Sequence, residues 1–240
     1  MCLEKRRLEN IAQDYSNPLQ AKEVSAYEIS YCFDIFKRFY QGGSILEMGP
    51  AEGVMTRRLI KYADYLEIVE GSDYFSNALK KEFPNLSVNC CLFEEFKPTR
   101  KYDAIVMGHV LEHVESPVEI LKLAKTWLKT DTSGIIFAAV PNSHSIHRQA
   151  AVKMGLLDSE KSMSEADVFH GHRRVYNLEE FLQEFVNAGL KVVASGGYWL
   201  KPLSNQQIKE QWNKEMIEAF MQLGEQYPEI AGDIYVAASL

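Results

Sequence analysis

Cysteine is scarce in this sequence and is nowhere spaced for metal binding or redox chemistry. The four cysteines among 240 residues include no CxxC pair. Two of them are adjacent, and neighbouring side chains on a strand point to opposite faces. The spacing therefore indicates neither a disulfide framework nor a cysteine zinc cage. The four positions are Cys2, Cys32, Cys90 and Cys91.

Long apolar runs and an excess of positive charge are also absent. The longest apolar stretch, residues 135–140, is far shorter than the ~20 residues that span a bilayer. Five of the first ten residues are charged, which does not fit a secretory signal. The 26 Lys and Arg residues are outnumbered by 33 Asp and Glu residues, for a net charge of −7. We therefore expect a cytoplasmic protein without a membrane or nucleic-acid partner.

Length and composition favour one globular α/β domain over residues 1–240. Two large catalytic domains do not fit in 240 residues. The hydrophobic share of 46% is that of an ordinary globular protein with a sizeable core, which excludes general disorder.

Strand and helix signals alternate along the chain. For example, Ser116 supplies a helix cap, Pro117 follows at the first helical position, and Glu119 stands three residues after the cap. The alternation predicts βαβ units and a doubly wound parallel sheet. Predicted strands cover residues 44–48, 66–69, 86–91, 102–107, 135–140, 191–194 and 234–238. Predicted helices cover one or two segments within 1–40, then 54–65, 74–83, 117–129, 178–188 and 205–223.

The loop after the first strand is a candidate ligand site, because parallel sheets bind ligands at the carboxyl ends of their strands. Glu47 precedes two glycines, Gly49 and Gly53, which allow close approach of a ligand to the backbone. Glu70 ends the second strand, seventeen residues after Gly53, and suits the hydroxyls of a ribose. Loop and acid together predict a nucleoside cofactor.

This loop resembles the E/D-x-G-x-G-x-G motif of class I S-adenosylmethionine-dependent methyltransferases, with Ala51 in place of the middle glycine. The resemblance continues in the segments YDAIV (102–106), GHVLEHV (108–114), VPN (140–142), GHRRVY (171–176) and AGL (188–190). These segments are similar to a bacterial branch that methylates small molecules, and together they cover residues 44–196. The resemblance implies a Rossmann-like sheet of seven strands with the last strand antiparallel.

We also predict a division of the chain, in which the lid follows from the helical tendency of the first 40 residues and not from the resemblance. Residues 1–40 would form a helical lid, 44–140 the cofactor-binding core, 141–176 a substrate-binding insertion, and 177–240 the C-terminal part of the sheet and its helices. The resemblance implies cofactor contacts from the methionine end to the adenine, and we add one lid residue, Tyr15, that closes over the site. They are Glu47, Gly49, Pro50, Ala51 and Gly53; Gly108 and His109 beside the sulfonium; Glu70 at the ribose; Gly71, Ser72, Leu92 and Phe93 at the adenine; and Tyr15.

All six histidines lie between residues 109 and 172. Transfer of a methyl group to oxygen or nitrogen needs an aligned nucleophile and a group that takes up its proton. We predict His172 as this base, with His147 and His170 as the next candidates, and a structural role for His113. The alternative is a metal site, because histidine pairs spaced three residues and two residues apart can both converge on one ion, together with an aspartate. Its ligands would be drawn from His144, His147, His170, His172 and Asp167.

Three arginines concentrate positive charge in the insertion of an otherwise acidic chain. Guanidinium groups suit phosphate or carboxylate, so Arg148, Arg173 and Arg174 predict an anionic acceptor. The alternative is that these arginines pair with neighbouring acids such as Asp158, Glu160 or Glu165. Asn142 and Tyr176 are predicted to orient the acceptor.

The resulting prediction is an S-adenosylmethionine-dependent methyltransferase without a metal, acting as a monomer or homodimer on a small molecule. Oxygen is the favoured acceptor atom, on an anionic metabolite, a nucleotide sugar or a natural-product intermediate. The alternatives are an N-methyltransferase acting on an amino sugar or another small amine, and a non-catalytic protein that binds the cofactor. An NAD-dependent oxidoreductase is disfavoured, because the third glycine of the G-x-G-x-x-G motif is missing from this loop. Methylation of RNA or protein is disfavoured by the negative net charge.

Overall fold

A seven-stranded sheet organises the residues that the computed structural model describes, which are 3–14, 22–130 and 134–240. The strands are β1 (Ser44–Met48), β2 (Tyr65–Glu70), β3 (Ser87–Cys90), β4 (Ala104–Gly108), β5 (Ile135–Pro141), β6 (Lys191–Tyr198) and β7 (Asp233–Ser239). The helices in these ranges are α1 (Leu3–Asp14), α2 (Lys22–Phe36), α3 (Thr56–Leu59), α4 (Asp73–Glu82), α5 (Pro117–Trp127), α6 (Ile146–Lys153), α7 (Glu165–His170), α8 (Leu178–Asn187), α9 (Asn205–Gln211) and α10 (Lys214–Gln226). A short 3-10 helix covers Phe93–Glu95.

The strand order is β3-β2-β1-β4-β5-β7-β6. The first five strands are parallel, whereas β7 runs antiparallel to both β5 and β6. The predicted Rossmann-like sheet with an antiparallel last strand is therefore confirmed. The order reverses between β1 and β4, so the loops that follow these strands flank the crevice where such sheets bind ligands.

Alternate side chains of each strand enter two apolar layers, one on each face of the sheet. Leu46 belongs to the layer covered by α5 and α8, where Phe181 and Phe185 are fully buried. Its neighbour Ile45 belongs to the opposite layer, which contains Phe36 of α2 and residues of α9 and α10. The two-residue period of a strand with both faces covered produces this division.

Two predicted helices were wrong in extent. Within 54–65 only Thr56–Leu59 is α-helical, because Met55 supplies no side-chain cap and i→i+3 bonds tighten the flanking turns. The segment 205–223 contains two helices, because Trp212 is extended and Asn213 caps a new helix at the Met216 amide.

The other boundaries differ less from prediction. Strand β6 continues to Tyr198, beyond the predicted end at residue 194. The sequence of the insertion 141–176 offers scattered short helical possibilities and no clear strand, and the structure has α6 and α7 there. No helix among the described residues is long and apolar enough to cross a membrane. The division of the chain into lid, core and insertion stays a prediction.

Candidate active site

The glycine loop after β1 has a backbone conformation that residues other than glycine seldom adopt. Gly49, Ala51 and Gly53 all have positive φ angles, of 65°, 47° and 73°. A Cβ atom on Gly49 would lie 3.0 Å from Val110, and one on Gly53 would lie 2.8 Å from Leu79. The glycines are therefore needed for both conformation and space. Ala51 accepts the left-handed conformation at a cost of roughly 1–2 kcal/mol.

Glu47 lies beneath this loop, with an exposed fraction of 2%. The Thr56 hydroxyl donates a hydrogen bond of 2.7 Å to its carboxyl group. Burial raises the pKa of Glu47 to about 8, and the neighbouring charge of Glu70 adds to the shift, whereas the Thr56 bond opposes it. Free Glu47 is therefore largely protonated near neutral pH.

Glu70 joins the glycine loop to the start of α4. Its carboxylate accepts hydrogen bonds from the Ala51 amide, at 3.1 Å, and from the Ser72 amide, at 2.8 Å. Burial raises the pKa of Glu70, although these backbone bonds favour the charged form. Each carboxylate oxygen has a further lone pair, so the group can still accept bonds from ribose hydroxyls.

The residues predicted for the adenine lie beside this loop. Ser72 caps α4 at the Phe75 amide. A Cβ atom on Gly71 would meet Leu8 of α1 at 2.6 Å and Leu92 at 3.6 Å. Phe93 lies near the position that a Cβ atom on Gly49 would take, at 3.5 Å. The structure thus brings the predicted loop, ribose and adenine residues together, except Tyr15, which lies outside the described residues. Pro50 occupies the loop between Gly49 and Ala51.

His109 follows Gly108 at the end of β4 and has a positive φ angle of 57°. Its Nε2 lies 3.3 Å from the Tyr198 hydroxyl, and its Nδ1 lies 3.6 Å from Oε1 of Glu112. Burial lowers the pKa of His109, but the nearby carboxylates of Glu112, Asp233 and Glu28 outweigh it and raise the pKa to about 9. The β4 end therefore carries an imidazolium group among acids.

Glu28 and Asp233 make this end of the sheet acidic. Asp233 is 2% exposed, and burial, with Glu28 nearby, raises its pKa well above the ordinary value. The two residues come from α2 and β7, which are remote in sequence. Sequence reasoning missed both, since neither stands in a motif.

His172 is held by a carboxylate. Its Nδ1 donates to Oδ1 of Asp167 at 3.1 Å. Burial raises the pKa of Asp167, but hydrogen bonds from His172, Ser164 and Arg148 hold it well below its usual range. An ionised Asp167 fixes the tautomer of His172, so the Nε2 atom carries the lone pair when the ring is neutral.

The other two predicted bases are less suited to accept a proton. Burial lowers the pKa of His147 to about 3, and the charges of Lys201 and Arg148 add to the shift. Burial also lowers the pKa of His170, whose ring lies 6.1 Å from that of His172. Both groups are therefore weak bases at neutral pH. The role of all three histidines as the base stays a prediction.

The alternative metal set from the sequence does not converge. His144 is half exposed and pairs with Glu160 at 2.5 Å. Among the described residues, the group whose potential ligand atoms come together is instead Glu112, His113 and His172. Glu112 lies in the LEHV segment (111–114), and nothing in that pattern indicates that its side chain is buried.

The predicted anion-binding arginines are engaged by the protein itself. Arg148 donates to Asp167, at 2.9 Å, and to the carbonyl groups of Glu160 and Ser162. Arg173 contacts Glu4 and the His113 carbonyl. Arg174 binds three backbone carbonyls, those of Leu111, Val114 and Glu115. That these groups bind an anionic acceptor stays a prediction without support from their contacts.

Asn142 and Tyr176 also have structural partners. The Asn142 amide donates to the carbonyls of Glu229 and Ala231, and both distances are 2.8 Å. Tyr176 is 4% exposed, and its hydroxyl donates to Glu184 at 3.1 Å. These contacts join the insertion to the sheet. Acceptor contacts from the two side chains stay a prediction.

The chain matches one protein family over most of its length. The sequence profile of a family described as "Methyltransferase domain" matches residues 24–195. No curated protein matches the chain in sequence.

Solved structures with the same fold include three proteins of low sequence identity. One is a methyltransferase from Thermotoga maritima, described as a possible histamine N-methyltransferase, with 16% identity, 98% and 99% coverage of the two chains and a TM-score of 0.68. The DhpI complex with S-adenosylhomocysteine has 13% identity, coverage of 98% and 94%, and a TM-score of 0.61. The plantazolicin methyltransferase BpumL, in complex with a triazolic desmethylPZN analog and S-adenosylhomocysteine, has 18% identity, coverage of 99% and 91%, and a TM-score of 0.55. At such identities the likeness establishes the fold alone.

Proposed function

The chain belongs to this methyltransferase family and is an S-adenosylmethionine-dependent methyltransferase, and we propose that it methylates a hydroxyl oxygen of a small molecule. The bound cofactor supplies an electrophilic methyl group: its carbon–sulfur bond breaks as the acceptor oxygen forms the new carbon–oxygen bond, leaving S-adenosylhomocysteine. The acceptor hydroxyl also loses one proton. The residues of this chain must hold the cofactor, align the hydroxyl and receive that proton.

The loop after β1 and the Glu70 carboxylate fit the cofactor. Gly49 and Gly53 leave the backbone uncovered, and Glu70 retains lone pairs for both ribose hydroxyls. We assign the methionine end to Glu47 and the loop, and the sulfonium end to Gly108 and His109. In this proposal the acceptor lies beyond the end of β4.

The single observation that carries the choice of a hydroxyl acceptor is the hydrogen bond between Asp167 and His172. A hydroxyl is a poor nucleophile until its proton is removed, and an imidazole oriented by a carboxylate is suited to remove it. His172 is therefore the base in this proposal, and Asp167 is its positioning residue. We propose an uncharged acceptor, because the arginines that favoured an anion already bind protein groups.

An amine is the second candidate, and the acids near His109 favour it. Glu28 and Asp233 lie close enough to interact with each other and with His109. Acidic groups such as these favour a cationic ligand, and a neutral amine needs less help from a base. The possible histamine N-methyltransferase among the structural neighbours is consistent with this candidate.

The proposal is tested with matched panels of phenols, catechols, aliphatic alcohols and amines. The assay measures formation of S-adenosylhomocysteine and the mass of the methylated product. We expect turnover on at least one hydroxyl compound, with the methyl group on oxygen. Methylation confined to amines would replace this proposal by the second candidate. Tight cofactor binding without turnover on any class would contradict both.

We also propose that α1 covers the cofactor site. Its Glu9 accepts hydrogen bonds from the backbone amides of Asp73 and Tyr74 at the start of α4. Its Arg7 donates to the Gly171 carbonyl beside α7. The helix thereby spans from the adenine side to the insertion, as a lid requires.

Cofactor binding is expected to release a proton from Glu47. The free carboxyl group has a pKa of about 8, and a nearby cationic cofactor favours its ionised form. Affinity should therefore rise with pH from mildly acidic conditions up to about 8 and then level off. Calorimetry at pH 7 in buffers of different ionisation enthalpy measures the released proton. Glu47→Gln should abolish the proton release that comes from Glu47. An unchanged proton release in that variant would contradict the assignment of the proton to Glu47.

A further inference from the structure

Glu112 is a buried carboxylate without a hydrogen-bond donor. Its exposed fraction is 1%, and neither carboxylate oxygen has a hydrogen-bond partner among the described residues. Two imidazole nitrogens face Oε1 of this carboxylate: Nδ1 of His109 at 3.6 Å and Nε2 of His113 at 3.9 Å. The positive charge of His109 offsets part of the cost of burying this carboxylate, but neither oxygen receives a hydrogen bond at these distances.

Two histidines near this carboxylate, His113 and His172, are each held through the Nδ1 atom. Nδ1 of His113 donates to the Gly171 carbonyl at 3.3 Å, and Nδ1 of His172 donates to Asp167 at 3.1 Å. The Nε2 atom of each neutral ring therefore carries a free lone pair. Histidine ligands of metals are held in this way, with the second nitrogen donating to a carboxylate or a backbone carbonyl.

The three groups lie within range of one ion. One ligand atom from each of Glu112, His113 and His172 falls within 4.8 Å of the others. Ligands at ~2.0–2.2 Å from a tetrahedral ion are separated by ~3.3–3.5 Å. The separation of 3.9 Å between Glu112 and His113 is longer than a hydrogen bond and close to this spacing. Movements of about 1 Å or less by these side chains would complete the geometry.

We propose that Glu112, His113 and His172 bind a divalent transition-metal ion of the zinc class. Two imidazoles and one carboxylate are the ligand set of many catalytic zinc sites, which keep a further position open. The side chains of His113 and His172 are 21% and 10% exposed, so solvent reaches the cluster. Asp167 and the Gly171 carbonyl are the groups that hold the two rings.

A catalytic role for this ion rests on the proposed function, whereas binding of the ion does not. The open position suits the oxygen of a hydroxyl acceptor, because a bound divalent cation lowers the pKa of a hydroxyl group. With the ion present, Nε2 of His172 is a ligand rather than the free base. Both forms of the enzyme need the same lone pair on His172.

The metal site is tested by titrating the tag-free, chelator-treated full-length protein with Zn²⁺, in the absence of cofactor and acceptor. Calorimetry measures stoichiometry and affinity, and the visible spectrum with Co²⁺ reports the coordination of the ion. We expect one ion per chain. Glu112→Gln and His172→Gln should each weaken binding by ~100-fold or more. The unfolding temperature of each metal-free variant is measured as well, because Glu112→Gln also removes the charge that faces His109.

His144→Gln is the matched control, because this histidine lies in the same insertion but pairs with Glu160 at the surface. It should bind one ion with unchanged affinity. Absence of saturable binding by the wild type would overturn the inference, as would unchanged affinity in both ligand variants. A bound ion in a protein that methylates no acceptor would remove the proposed function and leave the metal site in place. Methylation of an acceptor by a protein that binds no ion would remove the metal site and leave the proposed function in place.

Discussion

Replacing Glu70 by alanine is expected to weaken binding of S-adenosylmethionine by ~100-fold or more. Two bonds from ribose hydroxyls to a charged acceptor would be lost, each worth roughly 1.5–3 kcal/mol. The substitution also removes the acceptor of the Ala51 and Ser72 amides, so the glycine loop loses its tie to α4. Calorimetric titration with S-adenosylmethionine and S-adenosylhomocysteine measures the effect.

Two variants separate this effect from simple loss of stability. Glu70→Gln retains the size and one acceptor oxygen, and we expect an affinity between those of the wild type and the alanine variant. Glu67 is a buried acid on the same strand that binds Tyr102 and Asn89 instead. Glu67→Gln should lower the unfolding temperature without changing cofactor affinity. Equal affinity of the wild type and Glu70→Ala would contradict the assigned ribose contact.

Replacing His172 by alanine is expected to lower the rate of methyl transfer by ~100-fold to ~10,000-fold. The variant lacks the Nε2 lone pair that accepts a proton, or binds an ion, beside the acceptor. Cofactor affinity should stay within about threefold of the wild type, because the ring is not assigned to the cofactor. Single-turnover kinetics measure the rate, and calorimetry measures the affinity.

Two further variants define the role of His172. Asp167→Asn should lower the rate by no more than His172→Ala does, because it keeps the ring but favours the tautomer whose Nε2 carries the proton. His144→Ala should leave the rate unchanged, since His144 is a half-exposed residue of the same insertion. A near-normal rate in His172→Ala would remove this residue from the reaction.

The sequence predicted the sheet and its ligand edge because both depend on local patterns. Short apolar segments alternating with capped helices led to seven strands, and the glycine loop with Glu70 led to the cofactor edge. The departure at Ala51 left the motif incomplete in sequence. The structure shows this residue in the left-handed conformation with φ of 47°, so the loop keeps its shape.

The surroundings of the acceptor were less predictable, because they depend on contacts between distant elements. The acids near the acceptor come from three separate places: Glu28 from α2, Glu112 from the turn after β4, and Asp233 from β7. Nothing in the sequence distinguishes them from surface acids. The arginines of the insertion were predicted to bind an anion, with pairing to neighbouring acids as the alternative. Their partners include backbone carbonyls, which no pattern of side chains reveals. The helix break at Asn213 depended on one capping bond within an otherwise continuous apolar face.

A crystal structure of the protein with bound S-adenosylhomocysteine tests the central assignment most directly. We predict that both ribose hydroxyls bind Glu70, that the amino-acid end lies against Glu47 and the loop of Gly49 and Gly53, and that the sulfur faces Gly108 and His109. A product molecule whose ribose makes no contact with Glu70, or whose sulfur faces away from the end of β4, would contradict the account of the site.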